Sequence, residues 1–263
     1  MQVQFFKYQG TGNDFVVVDN RQGIWAEGMS QANVARLCHR RFGIGADGLM
    51  LLNKGHKGDF SMQYYNSDGG ESTMCGNGGR CLVAFAHKLG IGTESYLFEA
   101  VDGMHTAKVE DNGLIRLQMV QPTGKKQLGD DCLWIDTGSP HVVQFIQKGI
   151  DTWEVVRLGR SIRNSSDFSP GGTNVNFAQV ESENSLAVRT YERGVEDETL
   201  SCGTGVTAAA YLHMVREGKS DERIRIQTLG GELFVEIQDL GGKNEAIYLI
   251  GPATCVYEGV IEI

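Results

Sequence analysis

Residues 201–218 read SCGTGVTAAAYLHMVREG, and residues 74–90 read MCGNGGRCLVAFAHKLG. In each stretch a cysteine, Cys202 or Cys75, is followed by Gly-x-Gly and then by a small and apolar run that ends at a glycine, Gly218 or Gly90. The pattern predicts a helix with a cysteine at its very start. The first amides of a helix have no partner within it and carry the positive end of its dipole. A thiol placed there is stabilised as thiolate, and a bound carboxylate is favoured. Two such stretches predict one site built twice.

Around these two stretches the chain repeats at nearly the same offset. Thr11-Gly12 and Val16-Val17 reappear as Thr137-Gly138 and Val142-Val143, 126 positions later (137 minus 11). Cys75, Gly76 and Gly78 reappear as Cys202, Gly203 and Gly205, 127 positions later (202 minus 75). The turn signal VDG at 101–103 recurs as LGG at 229–231, 128 positions later (231 minus 103). Landmarks in one order at one offset predict an internal duplication. The polar stretch QPTGKKQLGDD at 121–131 reads as the linker, which places the domains at 1–121 and 122–252. The alternating tail ATCVYEGVIEI, 253–263, has no counterpart in the first half and is expected to cross back and complete the first domain.

Between these landmarks, VQFFKY and FVVVD read as strands around the turn-rich loop QGTGND, and Ser30 can cap a helix running to Arg41. RFGIGADGLMLL returns through glycines to a strand, and DFSMQYYNSDGGE alternates and then turns ahead of Cys75. SYLFEAVDG, HTAKVED and LIRLQMV read as further strands.

Composition excludes several classes. The 263 residues carry 24 Lys and Arg against 33 Asp and Glu, a net charge of -9, with no basic run, which argues against nucleic acid as a partner. The N-terminal MQVQFFKYQGTG lacks the apolar core of a signal peptide, and nowhere do about 18 apolar residues run together. A soluble cytoplasmic protein with no membrane partner is expected. The six cysteines, 38, 75, 81, 132, 202 and 255, lie far apart, which suits free thiols in a reducing compartment.

Two equivalent thiols suit a reaction with mirror-related faces, in which one group removes a proton from carbon and the other delivers one from the opposite side. The free-thiol pKa of about 8.5 must be lowered for the base, and a helix start does this. The amides of Gly76, Asn77, Gly203 and Thr204 are suited to clamp a substrate carboxylate and to stabilise the charge that develops there. CGNGGRC fails both phosphate-loop patterns, and no Cys-x-x-Cys pair or histidine cluster offers a zinc site, so no metal is expected. A thiol redox protein using Cys75 and Cys202 remains the alternative from another class. Further candidates sit in loops flanking strands: Asn13, Asn66, His141, Asn174, Glu192 and Arg193. Of these, the Arg193 guanidinium suits a bidentate grip on a second carboxylate.

GTGNDF, FGIGADG, YNSDG through MCGNGGRC, TGSPH, TNVNF, and YERG followed by SCGTG, in this order along nearly the whole chain, resemble the diaminopimelate epimerases. The resemblance implies two pseudo-symmetric α+β domains, each a curled, mostly antiparallel sheet or barrel around a central helix. It implies epimerisation between LL- and meso-diaminopimelate, in lysine and cell-wall peptidoglycan synthesis, with Cys75 and Cys202 as the acid/base pair. By the same carry-over His141 and Glu192 support the thiols. Asn13, Gly76, Asn77, Gly203 and Thr204 touch the reacting end of the substrate, Asn66, Asn174 and Arg193 hold the distal end, and Glu192 is also counted with the binding residues. Family members are typically homodimers and use no cofactor. Many carry Asn where this chain has Ser139, also counted with the binding residues, and some carry Gln where it has Gly48. Proline racemases and hydroxyproline epimerases resemble the chain too, but typically have His where Asn77 stands and lack a counterpart of Arg193.

Overall fold

The computed structural model describes residues 2–25, 30–219, 222–239 and 245–263. By its internal contacts the chain divides into two compact units, Met1–Leu117 with Gly251–Ile263, and Gln118–Ile250. Among the described residues no helix is long and apolar enough to cross a membrane.

The first unit contains strands β1 (Gln2–Gly10) and β2 (Asn13–Asp19), helix α1 (Gln31–Cys38), and strands β3 (Gly48–Lys54), β4 (Phe60–Asn66) and β5 (Glu71–Ser72). Helix α2 (Gly76–Lys88) follows, then β6 (Ser95–Ala100), β7 (Gly103–Val109) and β8 (Ile115–Met119). The pairs β2–β3 and β4–β6 are parallel, with α1 and α2 as their crossovers, and the remaining pairs are antiparallel. Helix α1 starts at Ser30, whose hydroxyl accepts from the Asn33 amide, and ends three residues before the expected Arg41. One face of the sheet packs Val16, Val18, Leu49 and Leu51 against Val34, Leu37 and Cys38 of α1. Helix α2 takes the opposite side, where Gly78 approaches Phe15 and Met50, and is buried along most of its length.

The second unit repeats this order. Strands β9 (Thr123–Gly129), β10 (Cys132–Asp136) and β11 (Pro140–Ile146) precede helix α3 (Val155–Arg163). Strands β12 (Asn174–Ser182), β13 (Ser185–Glu192) and β14 (Asp197–Thr199) lead to helix α4 (Gly203–Glu217), followed by β15 (Arg223–Thr228), β16 (Gly231–Asp239) and β17 (Glu245–Gly251). Its parallel pairs, β11–β12 and β13–β15, are again bridged by helices. Both central helices end alike. The amides of Gly90 and Ile91 donate to His87 and Ala86, and those of Gly218 and Lys219 to Val215 and Met214, with Gly90 at φ 70° and Gly218 at φ 65°.

The stretch 121–131 is not a linker. Residues 123–129 form β9, antiparallel to β10, with every residue exposed. An edge strand wet along its length carries no apolar alternation, which is why it resembles a connector. It packs Gly124 against the Trp134 ring, over which Lys126 also lies at 5.0 Å. Its counterpart is β18 (Thr254–Glu262), which pairs antiparallel with β1 from Gln2↔Glu262 to Gln9↔Thr254. The tail therefore has an equivalent, and it lies in the second half.

Candidate active site

Each central helix begins at a cysteine that is its N-cap. Cys75 has φ -102° and ψ 130°, and its carbonyl accepts from the Gly79 amide at 2.7 Å. Cys202 has φ -116° and ψ 112°, and its carbonyl accepts from the Val206 amide at 2.9 Å. The extended cap and helical first turn aim the amides of Gly76, Asn77 and Gly78, and of Gly203, Thr204 and Gly205, outward past each sulfur. The motif glycines have packing reasons. A Cβ on Gly78 would lie 3.1 Å from the Met50 sulfur, and one on Gly205 would lie 2.3 Å from Asn176 Oδ1.

In the first unit the Cys75 thiol donates to Asn13 Oδ1 at 3.7 Å. Asn13 is held in that orientation because its Nδ2 donates to Asp47 Oδ2 at 2.6 Å. Asp47 in turn accepts from Arg40, which also grips Asp14, and Asp14 pairs with the buried Lys7 at 2.7 Å. Burial pushes the Asp14 carboxyl up, but the hydrogen bonds from Arg40 and Lys7 outweigh it and hold Asp14 well below the usual carboxylate range. Arg80, fully buried in the second turn of α2, donates to Asn77 Oδ1 at 3.1 Å, Thr11 Oγ1 at 3.3 Å and the Gly76 carbonyl at 3.4 Å. Burial pulls its pKa down to about 10, opposed by the neighbouring thiols Cys81 and Cys75. Cys81 itself is pushed up to about 12 by burial and stays a thiol. Asn66 ends β4 with its side chain exposed, and among the described residues no hydrogen bond ties that side chain to the Cys75 cluster. At Gly48 a Cβ would stand 2.5 Å from the Tyr64 ring and from the Tyr65 carbonyl, so here the backbone approach itself excludes a longer side chain.

The second unit gathers more of the expected residues. Cys202 Sγ lies 3.5 Å from Thr204 Oγ1, which is 2.8 Å from His141 Nε2 and 3.2 Å from Ser139 Oγ. Ser139 Oγ is 2.9 Å from the same His141 nitrogen and accepts from Asn174 Nδ2 at 3.3 Å. Asn174 Oδ1 accepts from the Arg193 amide at 2.8 Å, and the Arg193 guanidinium reaches the Gly171 carbonyl. Glu192 stands half-buried at the end of β13, directly before Arg193. Burial, assisted by the Arg193 charge, pulls the His141 pKa down to about 3, so its imidazole is neutral at neutral pH.

Several residues at these clusters are not among the expected site residues: Asp47 in FGIGADG, Arg80 in MCGNGGRC, Thr137 in TGSPH, Asn176 in TNVNF, and Thr190, directly before YERG. Thr137 figures in the sequence as a repeat landmark and as the first residue of TGSPH, without a role, and its hydroxyl donates to the Thr204 carbonyl at 2.9 Å. Asn176 lies within TNVNF, where the neighbouring Asn174 draws the attention.

A curled sheet wrapped on a helix that starts at a cysteine, made twice in one chain, defines an α+β protein of the duplicated racemase and epimerase type. The chain belongs to the diaminopimelate epimerase family, whose model matches residues 5–125 and 133–256. It is 47% identical to the diaminopimelate epimerase of Flavobacterium psychrophilum over 98% of this chain and 100% of that one. It is 43% identical to that of Chlorobaculum tepidum over 97% and 99%. Solved structures share the fold at low identity. A phenazine biosynthesis protein of the PhzF family from Bacillus anthracis aligns with a TM-score of 0.80 at 16% identity over 100% of both chains. A probable proline racemase from Agrobacterium radiobacter aligns at 0.70 and 16%, over 99% of this chain and 92% of that one.

Proposed function

We propose that this protein interconverts LL- and meso-diaminopimelate without a cofactor, using Cys75 and Cys202 as a two-base pair. The observation that carries the reading is the full-length family match, joined to two thiols of identical backbone construction. One cysteine, as thiolate, takes the α-proton. The C–H bond breaks, its electron pair delocalises into the adjacent carboxylate, and the other cysteine delivers its S–H proton to the opposite face. Each turnover leaves the thiol and thiolate exchanged. Helix-start amides at Gly76, Asn77, Gly203 and Thr204 hold that carboxylate as charge grows on it, with Asn13 and Ser139 beside them. Asn66, Asn174, Glu192 and Arg193 receive the distal amino-acid end. His141 and Glu192 support the thiols, and neutral His141 does so as a hydrogen-bonding group rather than as a cation. We place the enzyme in the cytoplasm, as a homodimer acting on a small molecule.

The test is an assay in heavy water with LL- and meso-diaminopimelate, run beside proline. Deuterium should enter at the α-carbon of diaminopimelate alone, without added cofactor. Cys75→Ala and Cys202→Ala should each lower epimerisation by at least about a thousandfold, since neither face can then complete the transfer. Turnover of proline instead, or full activity in either variant, would overturn the reading.

A further inference from the structure

His141, Asn176 and Thr190 form a buried chain behind the Cys202 helix start, and its hydrogen-bond directions can be fixed. Asn176 Nδ2 lies 2.9 Å from the Val142 carbonyl, which can only accept. The amide end therefore faces that way, and Asn176 Oδ1 faces Thr190, whose hydroxyl donates to it at 2.9 Å. The second Asn176 Nδ2 hydrogen points at His141 Nδ1, 3.1 Å away. That nitrogen must accept, so the proton of the neutral imidazole sits on Nε2. Nε2 faces Thr204 Oγ1 at 2.8 Å and Ser139 Oγ at 2.9 Å, and Thr204 Oγ1 is 3.5 Å from Cys202 Sγ.

We propose that Asn176, backed by Thr190, is a positioning residue that locks His141 as the Nε2–H tautomer. His141 then donates to Thr204, which turns its own hydroxyl proton toward the Cys202 sulfur and stabilises the thiolate. The inference deepens the function proposed above and rests on Cys202 serving as one of its two bases.

Three features support it. His141 and Asn176 are fully buried at 0% exposure and Thr190 at 3%, so solvent cannot substitute for any missing partner. Gly205 has no room for a Cβ because Asn176 Oδ1 fills that space, so the second glycine of the motif exists to admit the lock. Among the described residues, the matching positions of the first unit carry different side chains. Its residues at the matching offset of 126 are Phe15, Met50 and Tyr64 (141 minus 15, 176 minus 50, 190 minus 64), which pack as an apolar group, with the Phe15 and Tyr64 rings edge to face at 5.9 Å. There the sulfur meets Asn13, which presents an acceptor. The charged groups beside the relay are Arg193, whose charge reaches His141, Glu192 next to it, and Cys202 itself.

The experiment is a long-range proton–nitrogen correlation spectrum of the full-length protein labelled with ¹⁵N histidine, with His141→Gln used for assignment. The wild type should show His141 protonated on Nε2 and bare on Nδ1 at neutral pH. Asn176→Asp offers Nδ1 an acceptor, so the proton should move to Nδ1 and kcat should fall about tenfold, the worth of one neutral hydrogen bond, with KM little changed. Thr190→Val, which leaves two of the three Asn176 partners in place, should keep the wild-type tautomer with a smaller loss. A wild-type spectrum with Nδ1 protonated would overturn the lock whether or not the variants fold. A proton moved to Nδ1 in Asn176→Asp with unchanged kcat would overturn its role. If the wild type shows the lock but exchanges no deuterium into diaminopimelate, the proposed function fails and the lock stands.

Discussion

A buried histidine that stays neutral makes stability depend on pH in a defined direction. His141 has its folded pKa near 3 against an ordinary value of 6.5. Between those values the unfolded chain binds a proton that the folded chain does not, so stability rises with pH through the window and is fully present above 6.5. On acidification from pH 6.5 to 5, wild-type protein should lose at least about 1 kcal/mol more than a His141→Gln variant, as the slope approaches about 1.4 kcal/mol per pH unit. Denaturant unfolding of both proteins at the two pH values measures the difference, and parallel losses would show that His141 is not held neutral by the fold. Single residues also mark where sequence reading stops. Cys75 and Cys202 announce themselves because the glycines around them repeat, and Arg193 because a guanidinium beside such a loop has an obvious use. Asn176 and Arg80 act through partners distant in sequence, Val142 and Thr11 among them, and nothing local records those contacts.

Elements built on the same pattern need not tolerate the same change. At Gly205 of α4 an added methyl meets a locked amide oxygen at 2.3 Å, whereas at Gly78 of α2 it meets a flexible thioether at 3.1 Å. Gly205→Ala should therefore destabilise by about 1–3 kcal/mol and depress kcat, and Gly78→Ala should cost clearly less, because Met50 can shift rotamer. Thermal unfolding and initial rates of the two variants test the ordering, and equal effects would mean that the helix starts are crowded alike. The elements themselves were mostly legible: strands of the first unit and both cysteine helices follow the periods and caps of their sequences. Helix α3 is the harder case, since Gly159 interrupts Val155, Leu158 and Ile162. That glycine is dictated from outside the helix, because a Cβ there would stand 2.4 Å from the Tyr191 Cβ on β13. β9 hides for the opposite reason, having no buried face to impose a pattern.

At the scale of the whole chain, the two units differ in where their flanking strand comes from. β9 reaches β10 directly through Asp130 and Asp131, with Gly129 paired to Cys132. The matching strand of the first unit, β18, arrives from the far end of the sequence, yet its Glu262 pairs with Gln2. The duplication is thus complete in space but cut at a different point along the chain, which is why an alignment of the halves leaves 253–263 over. β18 is also integral to its unit, since Ile261 packs on the α1 side of the core and Glu258 pairs with Lys88 of α2 at 2.9 Å. If the cut is incidental to the fold, it can be moved. A permutant starting at Ala253, with Asn-Gly joining Glu262 to Gln2 in place of Ile263 and Met1, and ending at Pro252, gives both units the same strand order. The two-residue turn matches the spacing that β9 and β10 use and the twist such hairpins prefer. This permutant should fold with cooperative unfolding and keep epimerase activity within about tenfold of wild type, whereas deleting 253–263 should lower the unfolding midpoint sharply or abolish folding. A permutant that aggregates while the deletion folds normally would show that β18 is an accessory strand and that the symmetry between β9 and β18 is only geometric.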